Sequence, residues 1–152
     1  MRARRLRLSA VAVLFAMSGV AVADGDGYRW KDGHSFEIYR VSGVERTCEA
    51  GARITLEVFG RSISGNVDPD PKSGFNVQAY IDHVDLPEAT TGANGKWKKD
   101  LHGWVVELSA PQEFHEDYRL QVSLYCATEP SPCSETYGRA AQVTETYHFD
   151  VR

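Results

Sequence analysis

The sequence predicts an all-β domain built as an antiparallel β-sandwich, and three observations carry that prediction. Beyond an N-terminal leader, no stretch holds a helical period of 3.6 for three turns, whereas apolar and polar residues alternate with period 2 in run after run. Each alternating run has one polar face, as a strand buried on one side requires. Turn-forming residues separate the runs at short intervals, which suits hairpins rather than helical crossovers. A small closed barrel is the alternative arrangement of the same strands.

The leader is residues 1–23, MRARRLRLSAVAVLFAMSGVAVA, and it reads as an export signal. Arg2, Arg4, Arg5 and Arg7 form a basic start, Leu8 to Val22 an apolar run, and Ala21-Val22-Ala23 a small-x-small pattern cut after Ala23. The apolar run is short for a spanning helix, which needs about 20 residues. The expected destination is the periplasm or the outside of the cell, with no membrane insertion once the signal is removed. Residues 24–152 are then a single β-sandwich domain, long enough for a core of its own.

The strands follow in order. SFEIYRV is the first and weakest. In ARITLEVFGR, Ile54, Leu56 and Val58 alternate with Thr55 and Glu57; in FNVQAYID, Val77, Ala79 and Ile81 alternate with Gln78, Tyr80 and Asp82. In GWVVELSA the apolar series is Trp104, Val106 and Leu108, and in YRLQVSLYC it is Tyr118, Leu120, Val122, Leu124 and Cys126. VTETYHFDV closes the chain, with Glu145 on the apolar parity just before Tyr147, Phe149 and Val151, which predicts a bulge or a late strand start. Between runs, Pro69 and Pro71 keep Asn66 to Gly74 out of a central strand. Asn94-Gly95 signals a type I′ hairpin turn.

The stretch FHEDYRLQVSLYC, with an aromatic at a strand start, regular inward apolar residues and a corner at Pro111 before it, resembles an immunoglobulin-like or fibronectin-type sandwich. The resemblance covers about half of residues 24–152. It lacks the antibody spacing of cysteine, tryptophan and cysteine, and it implies a fold and no activity.

Composition narrows the function. Removing residues 1–23 leaves 129 of 152 residues. The leader holds four arginines and no acid, so the formal charge moves from −4 to −8, with 13 basic against 21 acidic residues. Such a chain is unsuited to nucleic acid, which needs a clustered basic face, and it has no polybasic segment for an anionic membrane. Met1 and Met17 leave with the signal, so no thioether remains for copper. Of Cys48, Cys126 and Cys133, two are expected to pair in an oxidising compartment, and Cys126 with Cys133 is the preferred pair because CATEPSPC suits a tight excursion between strands. Cys48 is then left over.

No motif announces catalysis, and no cofactor is expected. GRSISG has no glycine two residues after Ser62, so it is no nucleophile elbow. His115 and His148 could approach Cys126, but no spacing pairs them. The histidines His34, His83, His102, His115 and His148 are scattered; His83 with Asp85, and His115 with Glu116 and Asp117, are at most parts of a metal site, and no metal is expected. Asn66, Asp68 and Asp70 repeat at every second residue but meet Pro71 and Val77 where a calcium loop needs glycine and glutamate, so they read as a turn.

Two segments carry candidate binding residues. Trp97 lies in NGKWKKD between Lys96, Lys98 and Lys99, and tryptophan is enriched at interaction hot spots; the alternative is an edge strand that buries Trp97 and solvates the lysines. Glu129 and Pro130 sit in the loop that Cys126 and Cys133 would clamp, and a stiffened loop enters a partner's cleft at low entropic cost. The expected function is an exported, non-catalytic binding protein that recognises another protein, with enzyme inhibition or immunity-type neutralisation as a concrete form. A carbohydrate-binding module stacking sugars on Trp97, Trp30 or Tyr137 is the alternative, and a small metal-dependent hydrolase ranks last.

Overall fold

Period-2 alternation becomes two antiparallel sheets packed face to face. The computed structural model describes residues 22–23, 36–63, 67–86, 88 and 90–152. The expected export signal therefore lies outside the described residues apart from Val22–Ala23, as do Trp30, His34 and Asn66. One sheet runs β2 (Phe36–Ser42), β4 (Arg53–Ser62), β8 (Gly103–Ser109), β7 (Lys96–Lys98). The other runs β1 (Val22–Ala23), β10 (Gln142–Val151), β9 (His115–Cys126), β5 (Phe75–Asp82), β6 (Thr91–Asn94), with β3 (Thr47–Cys48) lying parallel to the end of β10. The sheets do not close into a barrel. With β1 set aside, this is the strand order of an immunoglobulin-type sandwich, first strand split between the two sheets.

The core is the set of inward parities. Leu56, Val58, Val77, Ala79, Ile81, Val106, Val122 and Leu124 are fully buried between the sheets. Each such aliphatic side chain larger than alanine contributes about 1.5–3 kcal/mol relative to exposure. At the start of β9, Tyr118 is fully buried, and its hydroxyl donates to the Glu113 carbonyl at 3.0 Å. That bond to backbone a few residues upstream is the tyrosine corner of this fold class.

Two glycines let the chain change sheets. At Gly43 (φ +95°), between β2 and β3, a Cβ would lie 2.1 Å from the Thr55 carbonyl oxygen. No L side chain fits either that backbone or that space. Asn94-Gly95 does not form the predicted hairpin turn. Neither residue has the positive φ that type I′ requires, and β6 and β7 belong to different sheets. Gly95 instead donates to the Val77 carbonyl (2.6 Å), and its Cα passes so close to Trp104 that a Cβ would meet that side chain at 3.1 Å. The hairpin turn sits later, at Lys99–His102, with His102 in the left-handed region (φ +55°).

Glu145 also departs from expectation. It pairs with Val122 in unbroken register, and the irregularity of β10 falls between Phe149 and Val151. The residue points inward near the sheet edge, where the Tyr147 hydroxyl donates to its carboxylate at 2.9 Å. Burial pushes the Glu145 carboxyl above its ordinary range, and that hydrogen bond pulls it part of the way back. A strand accommodates a carboxyl on its apolar side when a neighbouring hydroxyl satisfies it.

Candidate functional site

Strand order sorts the loops into two ends. Residues 63, 67–74, 99–102 and 127–141 lie at one end, and residues 43–52, 83–86, 88, 90 and 110–114 with the start of β9 at the other. The predicted binding residues belong to the first end and its adjoining edge. Lys96 and Lys98 are exposed on edge strand β7, and Lys99 begins the following turn. Trp97 is half-buried and faces the core, edge-on to Trp104 (ring centroids 4.7 Å) and His102 (5.1 Å). The indole is thus a packing residue, and the lysines beside it guard the strand edge.

The other predicted segment is a plug. Cys126 and Cys133 are disulfide-bonded, and between them Ser131 caps a short helix, α1 (Pro132–Tyr137), through a reciprocal capping box with Ser134. The excursion expected between the two cysteines thus runs into a helix. Tyr137 is fully buried, its ring edge-on to Phe36 (4.8 Å) and Phe75 (6.1 Å) and its hydroxyl 3.2 Å from Ser62 Oγ. It therefore cannot serve as the stacking platform considered for sugars. Glu129 and Pro130 are exposed outside the plug, Glu129 paired with Arg139 at 2.8 Å.

The opposite end presents its side chains outward. Phe114 is 71% exposed and Val84 64%, the two most exposed large hydrophobic residues described. Each adjoins a histidine, and these histidines pack against each other: the His83 and His115 rings lie 5.4 Å apart, and Tyr118 stands edge-on to His83 at 5.2 Å. His83 is buried. The Asp85 backbone N–H donates to its Nδ1 (3.0 Å), so Nε2 carries the hydrogen and donates to the Glu116 carbonyl (2.9 Å). One imidazole thereby ties both apolar-tipped loops to the tyrosine corner.

Charge separates the ends further. The loops around Phe114 carry Glu45, Glu49, Asp85, Glu88, Glu113, Glu116 and Asp117 against Arg46 alone. Nearby Arg119 is held bidentately by Asp82 (2.7 and 2.9 Å). Cys48 is half-buried and outside the disulfide; burial first, then Glu45 and Asp150, push its thiol up to about 11. The histidines and Cys126 stay apart, since His115 begins β9 and Cys126 ends it. His148 instead meets Asp117 at 2.6 Å. Among the described residues no three His, Cys, Asp or Glu groups converge as metal ligands, and Asp70 spends its carboxylate on the Ser73 backbone N–H at 3.0 Å.

No protein-family model, curated protein or solved structure matches the chain. The sequence pattern singles out neither Phe114 nor Val84 as a candidate. The available signal was an aromatic or branched apolar residue placed next to histidine within a run of acids, as in QEFHED and DHVD.

Proposed function

We propose that the protein is an exported, non-catalytic binding protein that recognises a basic protein surface through its acidic end. The observation that carries this reading is Phe114, a large aromatic side chain held in water beside the His83–His115 contact and flanked by Glu113 and Glu116. Protein interfaces concentrate their energy in a few apolar anchors, while the charged rim sets approach rate and partner choice. Phe114 and Val84 supply the anchors; Asp85, Glu113 and Glu116 supply the rim. Neutralising a cationic enzyme is the concrete form that suits this surface. The disulfide-clamped plug fits a chain that matures where thiols oxidise.

Affinity capture from an envelope extract tests the reading when wild type is compared with Phe114→Ser and Glu129→Ala. The expected result is one basic protein retained by wild type and by Glu129→Ala, released by moderate salt, and reduced at least about tenfold by Phe114→Ser. Capture that is indifferent to Phe114, or retention only on a polysaccharide, overturns it.

A further inference from the structure

The solvent face of the β2–β4–β8–β7 sheet carries a second constellation that the acidic end does not involve. In β2 the register against β4 slips between Ile38 and Arg40, so Tyr39 and Arg40 both oppose Phe59. A bulge of this kind turns two consecutive side chains toward one face, and both residues are exposed. The Arg40 guanidinium lies 4.3 Å from the Phe59 ring centre, Tyr39 tilts against the same ring at 6.1 Å, and the Arg61 guanidinium lies 5.4 Å from the Tyr39 ring centre. Phe59 is buried although it is on the outer face, because its ring covers Gly103; a Cβ there would stand 2.7 Å from the ring.

The row continues across the sheet. Lys98 pairs with Gly103 and Lys96 with Val105, and both lysines are exposed on the parity opposite inward-facing Trp97. With about 4.8 Å between strands, Lys98 and Arg40 are about 14 Å apart along that row. Arg53, Arg61, Arg119, Arg139 and Arg152 each have a carboxylate partner, whereas Arg40, Lys96 and Lys98 have none among the described residues. The acids on this face are Glu37, held by Arg61, Glu107, held by Arg53, and Glu57. A basic strip therefore crosses an otherwise acidic protein. Stacking on Phe59 fixes the plane of the Arg40 guanidinium and leaves its N–H edge free for an oxyanion.

We propose that this strip binds an anionic polysaccharide, whose carboxylate or sulfate groups meet Arg40 on one side and Lys96 and Lys98 on the other. A flexible, repeating polyanion suits a flat surface whose main apolar ring is already covered. A protein partner would need a desolvated apolar anchor, and this strip offers only the half-exposed Tyr39.

Binding of polygalacturonate and of heparin to the purified protein tests the proposal, with neutral dextran, poly-glutamate and single-stranded DNA as comparison ligands. At least one of the two anionic glycans is expected to bind at low salt and weaken steadily as salt rises, while dextran does not bind. Arg40→Ala, and separately the pair Lys96→Ala and Lys98→Ala, are expected to weaken glycan binding about tenfold. Arg53→Ala, on the same face but engaged with Glu107, should leave it unchanged. Gly103→Ala, by displacing the Phe59 ring, should weaken binding while circular dichroism stays that of a folded β protein. Poly-glutamate or DNA binding as tightly as the glycans overturns the proposal, as does glycan binding unaffected by Arg40→Ala. Phe114→Ser leaves the glycan result intact, which separates this strip from the acidic end.

Discussion

The two ends of the sandwich solve the same problem in opposite ways. Every sandwich must close its core where the strands run out. At one end the chain closes inward: α1 packs Tyr137 against the touching rings of Phe36 and Phe75, and a disulfide holds the helix in place. At the other end the tyrosine corner and His83 seal the core from beneath, and Phe114 and Val84 are left in the solvent. Tyr137, Phe36 and Phe75 at the first end are structural, although Ile63 and Leu101 are exposed there too. Phe114 and Val84 at the second end stand out in solvent, and that difference is why recognition is proposed there.

The comparison can be broken by substitution. Tyr137→Ala should have the largest effect, a loss of about 3–5 kcal/mol in denaturant unfolding, because it empties the plugged end. A loss below about 1 kcal/mol would mean that the plug is ornamental. Replacing Cys126 and Cys133 together by alanine releases a loop with a sequence separation of 7, worth about 2.5 kcal/mol on the chain-entropy model. At the open end, Tyr118→Phe removes one hydrogen bond while keeping the ring, and about 1 kcal/mol should disappear from the unfolding free energy. Phe114→Ser should leave stability within about 0.5 kcal/mol of wild type; a larger drop would show that Phe114 is a packing residue after all.

The smallest expected effect is chemical. With its thiol pushed up to about 11, Cys48 should alkylate with iodoacetamide about a hundredfold more slowly at pH 8 than an unperturbed thiol. The deficit should shrink as pH rises through that value and vanish in denaturant. Fast labelling of the folded protein at pH 8 would show that burial, reinforced by Glu45 and Asp150, does not hold the thiol protonated.

Much of the framework was legible because it is local. β4, β5, β8, β9 and β10 each bury one parity, and alternation reads straight from residues such as Ile54, Leu56 and Val58. The Cys126–Cys133 link was legible from proximity and its two prolines. What was not legible depends on distant partners. Asn94-Gly95 has the local chemistry of a hairpin, but Trp104 in the other sheet draws Trp97 across, and the turn becomes a crossing. Tyr39 and Arg40 share a face only through their register with Phe59, which no local pattern contains. The six-residue α1 is too short to show a period, although its capping serines are plain in the sequence.

The crossings at Gly43 and Gly95 have a mechanical consequence. β2 and β3 lie in different sheets, and so do β6 and β7, so the chain stitches the sandwich along both of its long margins. Neither sheet can slide past the other or peel away alone without tearing a seam. The domain should therefore come apart in one cooperative step, with Trp97 and Trp104 at one seam and Tyr147 near the other losing their native signals at the same denaturant concentration.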